Sequence, residues 1–255
     1  MDLLHVATLN IRNLADRWAE RLPLVLADMA ALQPDLLALQ EVIFPMHQDR
    51  LIGAAGEGRY GVVRAWAGRP EHGNSLLVRE PLVAEGVERL DLELDRAALR
   101  AMVRFPGGEG VLVVVTHLHH KVEGAAERTE QARQLLEWLA DAPAAAHVVM
   151  GDFNADPGEP AADRMRAQGY RSAYAEANGN EPPVTWPSGI QAPGMDKDGD
   201  PACLDYIWVR GAVMVKSARL EFDRAHPDDP TLYPSDHFGL SAHLELGSSD
   251  HPAST

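Results

Sequence analysis

The sequence predicts an α/β protein: two packed sheets with helices on their outer faces, in one domain. Three observations lead there. A strand–helix–strand unit opens the chain, five short strand-like segments with no helix between them fill the middle, and a second long helix between strands follows.

Leu3–Leu9 is a short apolar run and reads as a strand. Asp16 is placed as an N-cap, and Trp18, Leu22, Val25, Leu26, Met29 and Leu32 then recur at helical spacing up to Pro34. Leu36–Val42 returns to a strand, and His47–Ala55 reads as a further helix. The middle strands are Tyr60–Ala67, Ser75–Arg79, Leu82–Leu90, Ala101–Phe105 and Val111–His117. Strands in succession without helices imply antiparallel pairing. Gly124–Ala140 is the long helix, Val148–Gly151 a buried strand and Pro160–Gln168 a helix. The stretch 178–201, rich in Gly, Pro and Asp, reads as a long functional loop. Leu204–Arg210, Val213–Phe222 and Gly239–Leu246 are the last strands, which gives a domain over residues 1–246 and a disordered tail over 247–255. The two halves echo each other, each with strands around one long helix.

Composition limits the function. The 255 residues carry 23 Lys+Arg against 38 Asp+Glu, a net charge of −15. That excess speaks against a non-specific coat for DNA or RNA, because polyanions are held largely by Lys and Arg. It leaves room for an enzyme that grips phosphate through a metal. The balance is uneven: the segment from Arg59 to Arg104 carries +1 and the rest −16. Phosphate is therefore expected to be held locally, by metal, His, Asn and arginines of that segment, which favours small or short phosphoesters. No apolar run reaches the roughly 20 residues of a membrane span. The N-terminus lacks the marks of a signal peptide, and the single cysteine, Cys203, permits no internal disulfide. Both fit a reducing cytoplasm, with no membrane anchor and no partner protein evident.

Polar residues interrupt the apolar strands at their ends. Asn10, Glu41, His117, Asp152, Asn154, Asp205, Asp236 and His237 all stand beside segments that read as buried. Each alone reads as a turn former or a solvated strand end. Together they are four carboxylates, two asparagines and two histidines at strand ends, and buried charges must be paired or bind a metal. Hard oxygen ligands favour Mg²⁺ or Mn²⁺, one or two ions, over Zn²⁺. A carboxylate or a His–Asp pair activates water, and a carboxamide holds an oxyanion without added charge. The chemistry this supports is metal-assisted hydrolysis of a phosphoester.

These motifs resemble the endonuclease/exonuclease/phosphatase (DNase I-like) superfamily. The matching stretches are Thr8-Leu9-Asn10, Leu39-Gln40-Glu41-Val42, Gly73-Asn74-Ser75-Leu76-Leu77, Thr116-His117-Leu118, Gly151-Asp152-Phe153-Asn154, Leu204-Asp205-Tyr206-Ile207 and Ser235-Asp236-His237-Phe238-Gly239-Leu240, in the family's order. The resemblance implies a four-layer α/β/β/α sandwich of two mostly antiparallel sheets with the site at one end. It implies Glu41 as principal metal ligand, Asn10 beside it as ligand or supporting partner, and Asp236 as a further ligand. Asp152 would position or deprotonate water and Asn154 hold the nucleophile or phosphate. His237, oriented by Asp205, would contact the scissile phosphate, and His117 the leaving-group side. Asn74 would bind substrate. In style the motifs are closest to the deadenylase and neutral sphingomyelinase branches, through Thr116–His119 followed by Arg128 and Gln131, although a plain helix-surface pair explains the last two equally well. Substrate choice would lie in the loops 57–72 and 178–201.

Other readings stand beside this one: a nuclease on DNA or RNA, a binding module on the same fold, and a zinc hydrolase built on His117-Leu118-His119-His120. Asp196–Asp200 resembles a calcium loop but lacks its glycine and terminal glutamate, and reads as a solvated acidic turn.

Overall fold

A computed structural model of the chain describes residues 2–56, 59–107, 110–142, 144–195 and 199–247. The tail 248–255 and most of the acidic turn at 196–198 lie outside these described residues. Strands β1 (Asp2–Asn10) and β2 (Leu36–Ile43) flank helix α1 (Trp18–Leu32); a 3₁₀ turn (Phe44–Met46) and α2 (Gln48–Ala55) follow. Then come β3 (Tyr60–Ala67), β4 (Arg69–Arg79), β5 (Val83–Asp91), β6 (Ala97–Arg104) and β7 (Gly110–His117). The chain continues through α3 (Ala125–Ala140), β8 (Ala146–Asp152), α4 (Pro160–Ala167), β9 (Arg171–Ser172) and α5 (Ala173–Asn178). It ends in β10 (Asp205–Gly211), β11 (Val213–Glu221) and β12 (Gly239–Leu246).

Two six-stranded sheets result, ordered β11-β12-β1-β2-β4-β3 and β5-β6-β7-β8-β10-β9. Each contains one parallel pair joined across a long helix, β1–β2 through α1 and β7–β8 through α3; the other pairings are antiparallel. The expected echo between the halves is this shared unit. The expected four-layer sandwich is present.

Side-chain alternation sorts the core into three. Leu4, Val6, Leu36, Ala38, Leu76, Val113, Val115, Val148, Met150, Ile207, Val209 and Leu240 fill the space between the sheets. Their neighbours Ala7, Leu9, Leu37, Leu39 and Leu77 face outward and bury Val25, Met29 and Ile52 of α1 and α2. On the second sheet Val114, Val149 and Trp208 do the same for Leu135 and Leu139 of α3 and Met165 of α4. Successive residues of a strand point to opposite faces, so each sheet serves two cores.

Several expectations need correction. The first turn of α1 is not capped by Asp16: Arg17 holds the N-cap position with φ 65° and no side-chain cap, while Asp16 pairs with Arg12 at 2.7 Å. Strand β4 starts at Arg69 rather than Ser75, and β6 at Ala97 rather than Ala101. Pro70, Gly73 and charged neighbours hide both starts. Arg128 and Gln131 are no surface pair, being 2% exposed each. β9 and α5 had no strong apolar period to announce them.

Gly151 is demanded by the packing of β8 on β7. Its φ is +145°, and a Cβ there would lie 1.9 Å from the Thr116 carbonyl oxygen. Gly151→Ala must push these central strands apart, and denaturant unfolding is expected to show a loss of about 3 kcal/mol. His147 tests the second core. It is 1% exposed, 2.9 Å from the Tyr170 hydroxyl, and burial together with Arg210 lowers its pKa from 6.5 to about 4. Its folded pKa lies below the unfolded one, so its contribution is whole above pH 6.5 and is lost as pH falls toward about 4. Thermal melts across that window should fall more steeply for the wild type than for His147→Gln.

Candidate active site

The same alternation builds the site. In β1, β7, β8 and β10 the residues that face between the sheets include Val6, Val115, Met150 and Ile207, and continuing that parity reaches Asn10, His117, Asp152 and Asp205. The site is therefore the polar end of the inter-sheet core. All four are nearly sealed, with relative exposures of 1%, 4%, 1% and 0%.

Glu41 breaks the parity. Leu39 and Val42 both pack toward the helices, and Gln40 turns inward to Thr8. The register slips between Leu39 and Val42, and Glu41 sits in the left-handed region with φ 60°. This bulge adds one residue on the inner side and aims Glu41 at Asn10. Its carboxylate accepts from Asn10 Nδ2 at 3.3 Å and Asn13 Nδ2 at 2.6 Å. Burial pushes its pKa up, but Arg12, these two amides and His237 outweigh burial and leave it lowered.

Asp152 is the junction of the two sheets. Its Oδ2 accepts from Asn10 Nδ2 at 2.9 Å, and the Nε2 atoms of His117 and His237 stand 3.5 and 3.7 Å away. Its Oδ1 accepts from the Asn154 backbone N–H at 2.8 Å, in a turn with Asn154 at φ 48°. Asn154 Nδ2 donates to the Leu118 carbonyl. Burial, with Asp205 adding to it, raises the Asp152 pKa to about 7.

His237 Nδ1 and Asp205 Oδ2 lie 2.8 Å apart. Burial disfavours the imidazolium, yet Asp205, Asp152 and Asp236 prevail and lift His237 to about 10. His117 goes the other way, held well below 6.5 by burial and then by Arg96. Asp236 is raised by burial; its Oδ2 lies 3.5 Å from Arg12 Nε and its Oδ1 3.3 Å from Ser235 Oγ.

The loops are clamped from beneath. Arg21, fully buried in α1, donates to the carbonyls of Ile11, Arg12, Ala15, Asp16 and Pro234, tying the loop after Asn10 to the loop before Asp236. Thr185, from the long loop at 178–201, accepts from the Leu204 and Asp205 amides and receives Phe238 N–H on its own carbonyl. Arg128 pairs with Glu159 at 3.0 Å and donates to the His119, Lys121 and Val122 carbonyls, while Gln131 accepts from His119 N–H. Sequence reasoning missed Arg12, Asn13 and Arg21, and gave Thr185 and Ser235 no role of their own. Arg12 and Asn13 stand two and three positions after Asn10, which was the available signal.

Asn74 stands in the wall, 1% exposed, its amide donating at 2.8 Å to the Ala97 carbonyl of the opposite sheet. The triple His117, His119 and His120 does not converge. β7 ends at His117, which faces Asp152, and His120 faces Arg96. Among the described residues, the three side chains whose ligand atoms come within 4.8 Å of one another are Asp152, Asp205 and His237.

The donor set suits a hard cation. Carboxylates dominate it, Asp205 Oδ1 is buried with no hydrogen-bond partner among the described residues, and Glu41 meets only neutral amides at hydrogen-bond distance. Negative charge thus exceeds what the nearby hydrogen bonds satisfy.

Comparison with known proteins identifies the family and the fold. Residues 7–237 match the Endonuclease/Exonuclease/phosphatase family. Human Nocturnin is 29% identical over 254 residues, covering 88% of this chain and 57% of its own length. Nocturnin of Xenopus laevis is 30% identical over 261 residues, covering 88% and 64%. The chain thus spans about three fifths of the length of these curated relatives. The human Nocturnin catalytic domain, solved with a bound sulfate anion, superposes with a TM-score of 0.77 at 24% identity over 96% of this chain and 95% of that one. D. rerio TDP2 complexed with a single-strand DNA product gives 0.79 at 20% identity over 96% and 100%. These two structures share its fold, and the match along the sequence makes the chain a member of the endonuclease/exonuclease/phosphatase family.

Proposed function

We propose that this protein is a Mg²⁺- or Mn²⁺-dependent phosphoester hydrolase in which water attacks phosphorus. The observation that carries the reading is the convergence of Asn10, Glu41, His117, Asp152, Asn154, Asp205, Asp236 and His237, drawn from both sheets, around Asp152. Glu41 and Asp236 would hold the metal. Asn10 presents its N–H groups to Glu41 and Asp152 while its Oδ1 accepts from Arg12 N–H, which suits a supporting partner more than a ligand. A divalent ion there would draw electron density from a phosphoryl oxygen and stabilise charge in the transition state.

The chain's own groups do the rest. Asp152, fixed by Asn10 Nδ2 and the Asn154 backbone N–H and made more basic by burial, takes a proton from the attacking water. Asn154 holds the water or a phosphoryl oxygen beside it. His237, its Nδ1 committed to Asp205, turns Nε2 toward the phosphate. His117 approaches from the other side and hydrogen-bonds the leaving oxygen as the P–O bond breaks. Asn74 supports the substrate wall through Ala97.

The substrate class we favour is a small or short phosphoester, because −15 net charge repels a long polyanion. Nuclease action on DNA or RNA is the second reading, favoured by the fold shared with TDP2 in its complex with a single-strand DNA product. The same proposal places the enzyme in a reducing cytoplasm, consistent with its one cysteine, Cys203, which is buried with its thiol pKa pushed up by burial. No described helix is long and apolar enough to cross a membrane.

Hydrolysis should be measured on bis-p-nitrophenyl phosphate, p-nitrophenyl phosphate, sphingomyelin and short DNA and RNA oligonucleotides. Activity is expected to vanish in EDTA and return with Mg²⁺ or Mn²⁺. Glu41→Gln and Asp152→Asn should each lower kcat/KM by about a hundredfold or more. Turnover that survives chelation, or wild-type rates in both variants, would end the mechanism. Absence of Mg²⁺ and Mn²⁺ binding in isothermal titration would instead favour a binding module. A separate series tests His117: in His117→Ala, diesters with alkoxide leaving groups should slow about tenfold more than those releasing p-nitrophenolate, which needs less help to depart. An equal loss on both would remove His117 from the leaving-group side.

A further inference from the structure

Arg96 lies at the turn between β5 and β6, beside the site, and none of the roles above uses it. It is half-buried and close enough to Glu41 and Asp152 to feel both charges. Its Nε donates to the Leu118 carbonyl at 2.8 Å and Nη1 to the Asp95 carbonyl at 3.2 Å, and Nη2 lies 2.9 Å from His120 Nδ1. A guanidinium carries five N–H groups, so two remain without an acceptor among the described residues. No described carboxylate pairs with it, unlike Arg128 with Glu159. Burial lowers the Arg96 pKa, against the pull of Glu41, Asp152 and Asp95, so a further anion at its free N–H groups would be favourable.

The turn that presents Arg96 is itself unfavourable. Glu93, Leu94 and Asp95 have φ of 60°, 50° and 57°, three successive non-glycine residues in the left-handed region. Each such residue costs on the order of 1 kcal/mol, and strain of this kind persists only where the surroundings impose it. Here they do. Gln131 Nε2 donates to the Leu92 carbonyl from α3, and Asn74 Nδ2 donates to the Ala97 carbonyl from the opposite sheet. The turn that carries Arg96 is thus anchored at both ends.

His120 adds a directed donor. An arginine only donates, so the His120 Nδ1 facing Arg96 is an acceptor and the proton of the neutral ring sits on Nε2. His120 is exposed and leaves that N–H free to meet a ligand.

We propose that Arg96 and His120 form a subsite for a second phosphate of the substrate, next to the scissile one, so that the preferred substrate is a short phosphoester bearing an additional phosphate group. The proposal rests on the phosphoester reading above and specifies its substrate. It also gives the locally basic Arg59–Arg104 segment a use, since one of its arginines reaches the site.

The experiment compares kcat/KM of the Mg²⁺-loaded protein on the thymidine dinucleotides TpT, pTpT and TpTp. At least one phosphorylated form should exceed TpT by about tenfold, the scale of one or two charge-assisted hydrogen bonds. Arg96→Ala should erase that preference, and Arg96→Lys should keep some of it, with melting curves confirming that both variants fold. No preference in the wild type, or an equal loss on all three substrates in Arg96→Ala, overturns the subsite. If the wild type cleaves none of them, the hydrolase reading is what suffers, and binding decides the subsite by itself. Isothermal titration with Mg²⁺ should then show adenosine 3′,5′-bisphosphate binding more tightly than adenosine 5′-monophosphate in the wild type only. Equal binding of the two nucleotides, or a preference unchanged in Arg96→Ala, overturns the subsite in that case.

Discussion

Mutual repulsion among Glu41, Asp152, Asp205 and Asp236 is the constraint around which this molecule is arranged. Like charges in a water-poor mouth repel far more strongly than on a surface, and the Asp152 and Asp236 carboxyls respond with raised pKa values led by burial. The protein supplies some of the answer. His237 shares its charge among three of the carboxylates, and Arg12 stands between Asp16 and Asp236. Neutral amides supply more, with Asn10 reaching from one sheet to Asp152 in the other across 142 residues of sequence. What these groups leave unbalanced is what a divalent cation and a phosphate would complete.

Holding such an arrangement takes backbone strain as well as charge. Glu41, Asn154 and the run Glu93–Asp95 all have positive φ; the first two lie in the site, and the run leads into Arg96 beside it. The apolar interior between the sheets is rigid enough to impose this, since Leu4, Val6, Val113, Val148 and Ile207 beneath it are at most 1% exposed. Arg21 and Arg128 extend that rigidity to the loops by donating to carbonyls that would otherwise be free to shift. This end of the inter-sheet core can be polar because the layers below it are apolar and tightly packed.

Much of this was legible in the sequence, and the boundary of legibility is physical. Alternation along β1, β7, β8 and β10 carries Asn10, His117, Asp152 and Asp205 to one face, so their convergence follows from a period of two. Glu41 has the wrong parity: its place at a strand end and its family motif marked it, but not the face it takes, because a bulge is invisible to a periodicity argument. Arg128 and Gln131 sit at helical spacing that a surface pair would also show, and burial alone distinguishes the cases. Asp16 has the composition of a cap but found a stronger partner in Arg12. Arg96 was legible only as one positive charge in a region of mixed sign, because three successive left-handed residues are not something composition announces.

The strand order also bears on how the protein comes into being. β12 lies between β11 and β1, and Asp236 and His237 immediately precede it. Ser235 closes on the Asn10 carbonyl, 225 positions away. The first described strand therefore waits for the last before either can finish its share of the pocket. A nascent chain on the ribosome exposes the edge of β1 and carries Asn10 and Glu41 without their counterparts. Asp236 and His237 join them only when β12 takes its place beside β1.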